Sequence, residues 1–187
     1  MKKRIFIVHR WSGSPNDDWR PWLKKELEKL GHDVFVPEMP DTETPVIEKW
    51  VEHLAQVVVK ADENTFFVGH SIGCQTILRY LETLSEPVGG AVFVAGWFKL
   101  ENLEDKEVER IAEPWIITPI DATKIRTILP KSTLIISDND PFGAGGMNKL
   151  KFIEIGSKIV SLRNAGHITE DDGYVKLPEI LDELNKF

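Results

Sequence analysis

The chain has 187 residues, one cysteine and a formal net charge of −7 from 23 basic and 30 acidic side chains. That length suits one domain, the apolar content of 42% supports a substantial core, and the acidic balance argues against a nucleic-acid backbone or an anionic membrane surface as partner. The lone Cys74 excludes an intrachain disulfide and a cysteine-rich metal site.

Ile5-Phe6-Ile7-Val8 is a short apolar run of the kind found in strands buried on both faces. It is too short for the apolar core of a secretory signal, and no stretch approaches the roughly 20 apolar residues of a membrane span. A cytoplasmic protein is therefore expected. A loop from His9 to Asn16 follows, then a helix capped by Asp17 or Asp18, with Trp19, Trp22, Leu23, Leu27 and Leu30 at helical spacing and Gly31 at its end. Asp33 to Val36 reads as the second strand. After Pro37, Pro40 and Pro45, a helix is expected from about Val46 to Lys60.

Thr65 to Val68 is the third strand, with a helix from just beyond it to about Leu84, and Ala91 to Ala95 is the fourth strand. The long connection to the fifth strand, Thr133 to Ile136, holds an acidic helical stretch near 101–112, a bend at Pro114, Trp115 and Pro119, and a helix opened by Asp121. The acidic run Glu101 to Glu109 reads as a solvated face. Gly143, Gly145 and Gly146 lack the Lys-Ser/Thr of a phosphate loop and read as a flexible loop. Lys158 to Leu162 is the sixth strand, and a last helix runs from about Val175 to Lys186.

Six rounds of strand and helix indicate a single α/β domain over residues 1–187, a three-layer sandwich around a mostly parallel six-stranded sheet. Residues 97–120 form a short lid-like connection within it. Sites in such sheets lie at the carboxyl ends of strands.

Between the third strand and its helix stands Gly69-His70-Ser71-Ile72-Gly73. Gly-x-Ser-x-Gly can arise by chance in a chain of this size, so its context decides its meaning. Here a strand turns sharply into a helix with serine at the bend, the arrangement that exposes a nucleophile. The small residues two places either side let strand and helix approach, and the N–H of Ile72 faces a developing oxyanion.

A serine hydroxyl needs a base, usually a histidine oriented by a carboxylate. His167 follows the last strand in Ala165-Gly166-His167-Ile168. His70 points into the packing below the elbow, His32 and His53 belong to helices, and His9 is assigned a loop-shaping place beside the site. After the fifth strand, Asp138 and Asp140 both qualify by position; Asp140, held extended by Pro141, is preferred. The order Ser71, Asp140, His167 is then that of an α/β-hydrolase. The loop after the first strand should supply the second oxyanion donor, the N–H of Trp11 first and that of Arg10 second. His9, Arg10, Trp97 and Phe98 are candidate pocket residues, with Trp115 a weaker one, and Cys74 reads as a buried inert thiol.

With these motifs in place, the chain resembles the small single-domain serine hydrolases of the α/β-hydrolase superfamily related to retinoblastoma-binding protein 9 and bacterial YdeN-type proteins. The resemblance covers nearly the whole length. It is carried by Ile7-Val8-His9, by Trp19-x-x-Trp22-Leu23-Lys24-Lys25-Glu26-Leu27, by Met39-Pro40, by the serine elbow, by Asp140-Pro141-Phe142 and by Gly166-His167. It implies a compact sheet lacking the first antiparallel strands of larger relatives, and a nucleophile, acid and base at Ser71, Asp140 and His167. Arg10 stands where hydrolases of this superfamily commonly have glycine after the histidine. The expected function is hydrolysis of an ester or amide of a small acyl substrate through an acyl-enzyme, with no metal or organic cofactor. A hydrolase-fold binding or scaffold protein with little turnover is the alternative.

Overall fold

A computed structural model describes residues 2–103, 105–143 and 146–187. Its strands are β1 (Arg4–Val8), β2 (Asp33–Phe35), β3 (Thr65–His70), β4 (Gly90–Val94), β5 (Ser132–Ser137) and β6 (Lys158–Leu162). Its helices are α1 (Arg20–Lys29), α2 (Ile47–Val58), α3 (Ile72–Glu82), α4 (Lys106–Ile117), α5 (Ala122–Ile128), α6 (Gly146–Glu154) and α7 (Pro178–Leu184).

The six strands form one sheet in the order β2-β1-β3-β4-β5-β6, and every described pairing is parallel. Strand residues alternate between two apolar layers. Phe6, Val8, Phe67 and Phe93 face the cluster built with α2, α3, α4, α5 and α6 around Trp50, Leu54, Ile77, Trp115 and Phe152. Ile5, Ile7, Val68 and Val92 face the cluster of α1 and α7 around Trp19, Leu23, Leu27, Ile180 and Leu184. Helices on both faces explain why the central strands read as unbroken apolar runs.

The chain leaves β1 toward β2 on one side and returns to β3 on the other. The crevice at this switch in direction opens above the carboxyl ends of β1 and β3. The loop after β1 and the serine turn after β3 therefore meet there, with Val8 paired to Gly69 in register.

Four local expectations are corrected. Neither Asp17 nor Asp18 caps α1: the cap position is Trp19, because Ser14 engages the Asp17 carboxylate and Arg10 and Arg20 engage that of Asp18. The acidic stretch near 101–112 is not helical from its start; α4 opens only at Asp105, whose side chain accepts from Glu107 N–H, and Glu104 lies outside the described residues. Pro114 and Trp115 sit inside α4 rather than at a bend, with Trp115 anchored by its indole N–H on the Pro45 carbonyl at 3.0 Å. The glycine-rich stretch is not simply a flexible loop: Gly146 starts α6, an unforeseen helix, while Gly145 lies outside the described residues.

Candidate active site

Ser71 occupies the turn between β3 and α3 with φ 54° and ψ −119°, a left-handed conformation that costs a non-glycine residue about 1–3 kcal/mol. The surroundings enforce it. Ser71 N–H donates to the Val94 carbonyl at 2.9 Å, and the Ser71 carbonyl accepts from Cys74 N–H at 3.0 Å. A Cβ on Gly69 would lie 2.8 Å from the Cys74 nitrogen, and one on Gly73 would drive into the Val8 carbonyl oxygen. The small flanking residues thus serve close backbone packing. Ser12, Asp18, Ala95 and Ile168, all on loops around this turn, also have positive φ.

His167 hangs on the loop after β6, and the end of β5 holds that loop. Asp138 Oδ1 accepts from Asn164 N–H at 2.7 Å, Ser137 Oγ from Ala165 N–H at 2.9 Å, and Asn139 Oδ1 from Gly166 N–H at 2.8 Å. The next side chain, Asp140, is free to face the ring. Asp140 Oδ2 lies 2.8 Å from His167 Nδ1, while its Oδ1 accepts from Phe142 N–H at 2.9 Å. Of the two aspartates left open by position, Asp140 meets the imidazole and Asp138 anchors the loop. The His167 ring lies between those of His70 and Phe142, with centroids 5.4 and 5.0 Å away.

Ser71 and His167 face one cavity of about 490 Å³. Its walls are mainly apolar: Trp11, Trp97, Leu100, Leu103, Val108, Pro141 and Phe142. Among the described residues, the hydrogen bond at Ser71 Oγ comes from the indole N–H of Trp97, at 3.3 Å. Neither Ile72 N–H nor Trp11 N–H has a protein acceptor among those residues.

Arg10 and Trp97 line this cavity, whereas His9 and Phe98 do not. His9 is fully buried: its Nε2 accepts from Met39 N–H at 3.0 Å, so the neutral ring donates from Nδ1 to the Arg10 carbonyl at 2.8 Å. Burial pushes its pKa down to about 4. Phe98 packs edge-on against Phe152 in the core, and Trp115 is likewise a core residue. Cys74 is buried, and burial pushes its thiol pKa up, consistent with an inert group.

Beneath the cavity lies a polar cluster absent from the motif reading. Asp18 Oδ2 accepts from Arg10 Nε at 3.0 Å and from Arg20 Nη1 at 2.9 Å, and its Oδ1 accepts from Glu170 N–H at 3.0 Å. Burial opposes its ionisation, yet the adjacent Arg20 guanidinium and the hydrogen bond from Glu170 N–H hold the carboxyl below its usual range. His70 Nδ1 lies 3.2 Å from Arg20 Nη1, which only donates, so the proton of the neutral ring sits on Nε2 and points at the His167 carbonyl, 3.0 Å away. Burial lowers the His70 pKa to about 4. The only sequence signal for this cluster was Asp17, Asp18 and Arg20 crowded beside the apolar Trp19, Trp22 and Leu23 at the start of α1. Among the described residues, no group of three or more His, Cys, Asp or Glu side chains is disposed to hold a metal ion, and no helix is long and apolar enough to cross a membrane.

The family model described as serine hydrolase matches residues 5–186. The chain belongs to the serine hydrolase family. This hydrolase is 30% identical over 190 residues to YdeN of Bacillus subtilis (strain 168), covering all of this chain and 97% of that protein. The crystal structure of the B. subtilis ydeN gene product superposes with a TM-score of 0.90 at 29% identity, over 99% of this chain and 98% of that one. Serine hydrolase RBBP9 of Rattus norvegicus is 30% identical over 125 residues, which span 66% of this chain and 63% of that protein. Est1E from Butyrivibrio proteoclasticus shares the fold at a TM-score of 0.70 and 12% identity, over 98% of this chain and 89% of that one. The fold is that of the α/β-hydrolases, and family and fold together support hydrolase activity.

Proposed function

We propose that this hydrolase cleaves an ester or amide of a small, apolar acyl group through an acyl-enzyme on Ser71. The observation that carries this reading is His167, held 2.8 Å from Asp140 and facing the same cavity as a serine in a strained elbow. Ser71 Oγ attacks the carbonyl while His167 Nε2 takes its proton; Asp140 holds the ring and stabilises the imidazolium. The free N–H groups of Ile72 and Trp11 receive the oxyanion. His167 then protonates the leaving group, activates water against the acyl-enzyme and returns a proton to Ser71. Contacts of this kind are often loose before substrate arrives and tighten in the complex, and on this reading the Ser71 hydroxyl turns its proton to His167 while Oγ keeps the Trp97 N–H.

The apolar walls from Leu100, Leu103, Val108 and Phe142 favour an uncharged acyl chain or ring, and the acidic Asp171 at the rim disfavours an anionic one. Arg10 does not require a binding-only role, because its guanidinium is held on Asp18 and leaves the Trp11 N–H uncovered.

A fluorophosphonate probe tests the reading. Wild type is expected to label at Ser71, Ser71→Ala not at all, and Asp140→Asn more slowly by a factor of roughly 10³–10⁴. Undiminished labelling of Ser71→Ala would overturn it.

A further inference from the structure

Ser71 Oγ has a second buried neighbour that the three-residue mechanism does not use. Trp97 follows β4, is only 3% exposed, and donates its indole N–H to that oxygen at 3.3 Å. Gln75 Nε2, from α3, donates to the Trp97 carbonyl at 2.7 Å, which fixes the backbone from which the ring projects. An indole N–H donates and never accepts, so it leaves the hydroxyl's own proton available to His167.

We propose that Trp97 is a catalytic donor to the nucleophile oxygen and acts chiefly in deacylation; the proposal rests on Ser71 being the nucleophile. The asymmetry follows from what Oγ is in each half-reaction. During acylation Oγ is the attacking atom. A donor there eases loss of its proton but draws density from the attacking lone pair, so the two effects offset. In the acyl-enzyme Oγ is the ester oxygen, and the same donor makes the carbonyl more electrophilic toward water. When the tetrahedral intermediate collapses, the C–Oγ bond breaks, its electron pair goes to Oγ, and the proton held by His167 completes the hydroxyl. The indole N–H stabilises the charge that gathers on Oγ before that proton arrives.

The test uses p-nitrophenyl butyrate with full-length protein, following the burst for acylation and intact mass for the acylated fraction. Two replacements are compared: Trp97→Phe, and 3-benzothienylalanine at position 97, which keeps the bicyclic shape without the N–H. Thermal unfolding checks that each is folded. Both are expected to deacylate about tenfold more slowly, the effect of losing one neutral hydrogen bond, with acylation changed less and the steady-state acylated fraction increased. Wild-type deacylation in the benzothienylalanine protein overturns the proposal, even if Trp97→Phe is slow, since ring shape alone then matters. A fluorophosphonate label absent from Ser71 in wild type overturns the Ser71 reading itself, and the proposal with it.

Discussion

His70 Nε2 reaches the backbone carbonyl of His167 at 3.0 Å, so the residue before the candidate nucleophile carries the candidate base. The tie continues downward: Arg20 holds the far side of the His70 ring, and Asp18 holds Arg20, Arg10 and the backbone of Glu170. Three loops that leave different strands are thereby referred to one buried carboxylate. The loop after β1 carries Trp11, the turn after β3 carries Ser71, and the loop after β6 carries His167.

Two of the buried rings make folding stability depend on pH. His9 and His70 are neutral in the folded protein, with burial pushing each pKa from 6.5 to about 4. The unfolded chain accepts a proton at each near its ordinary value, whereas the folded chain resists until about pH 4. Stability is therefore full above pH 6.5 and falls as pH drops toward 4, by about 1.4 kcal/mol per pH unit for each ring. Denaturant midpoints at pH 7, 6 and 5 should show this slope. His9→Gln shifts the whole curve, and its slope should be shallower by one proton. An unchanged slope would mean that His9 titrates normally in the folded state.

Asp18→Asn should be among the most damaging single changes outside the candidate residues Ser71, Asp140 and His167. It leaves two guanidinium groups facing a neutral amide, one of them the fully buried Arg20, whose Nη2 already has no hydrogen-bond partner among the described residues. Breaking a buried charge pair from one side costs about 3–5 kcal/mol, which urea unfolding will read directly. Because Arg10 and Glu170 lose the same partner, fluorophosphonate labelling at Ser71 should also slow under conditions where the variant is still folded.

The parts of the site that sit on strand ends were legible in the sequence, and those made by packing were not. Gly69-His70-Ser71-Ile72-Gly73 announced itself because a left-handed serine needs small neighbours, and those neighbours show in the primary structure. His167 followed from strand order, which left Asp138 and Asp140 equally placed until Pro141 favoured Asp140. Asp18 was misassigned because a carboxylate before a helix looks like a cap whether or not two arginines from elsewhere claim it. Phe98 and His9 were placed by adjacency to strands, but a strand end faces both the site and the core, and only packing decides which side chain turns which way. The helix from Gly146 stayed hidden because a glycine-rich run at its start signals a loop more strongly than nine residues signal a helix.

Asn148 shows what such hidden positions do. From α6 it accepts from the N–H groups of Phe98 and Lys99 and donates to the carbonyls of Lys99 and Gly143, all within 2.9–3.1 Å. It thus fastens the strap behind Trp97 to the turn behind Asp140. Asn148→Asp keeps the size but turns an acceptor toward two carbonyls, and should cost about 2–4 kcal/mol. Acyl-chain preference should broaden as well, since Leu100 and Phe142 lose their common anchor. Melting temperatures and a panel of aryl esters of graded chain length measure both effects.

The elbow supplies the sharpest steric prediction. Gly73→Ala would set a methyl group against the Val8 carbonyl and 2.8 Å from that of His9, and neither can swing aside as a side chain could. Either β1 shifts, taking the loop that carries Trp11 with it, or α3 tilts and releases Ser71 from its left-handed turn. A destabilisation of about 3 kcal/mol or more is expected, with fluorophosphonate labelling lost in whatever fraction folds. Gly146→Ala is the control, because a Cβ there meets nothing within 4 Å and alanine favours the helix that begins at that residue by about 0.5–1 kcal/mol. Equal stability of the two variants would show that the elbow tolerates the methyl group, and that the close approach of α3 to β1 does not hold the serine in place.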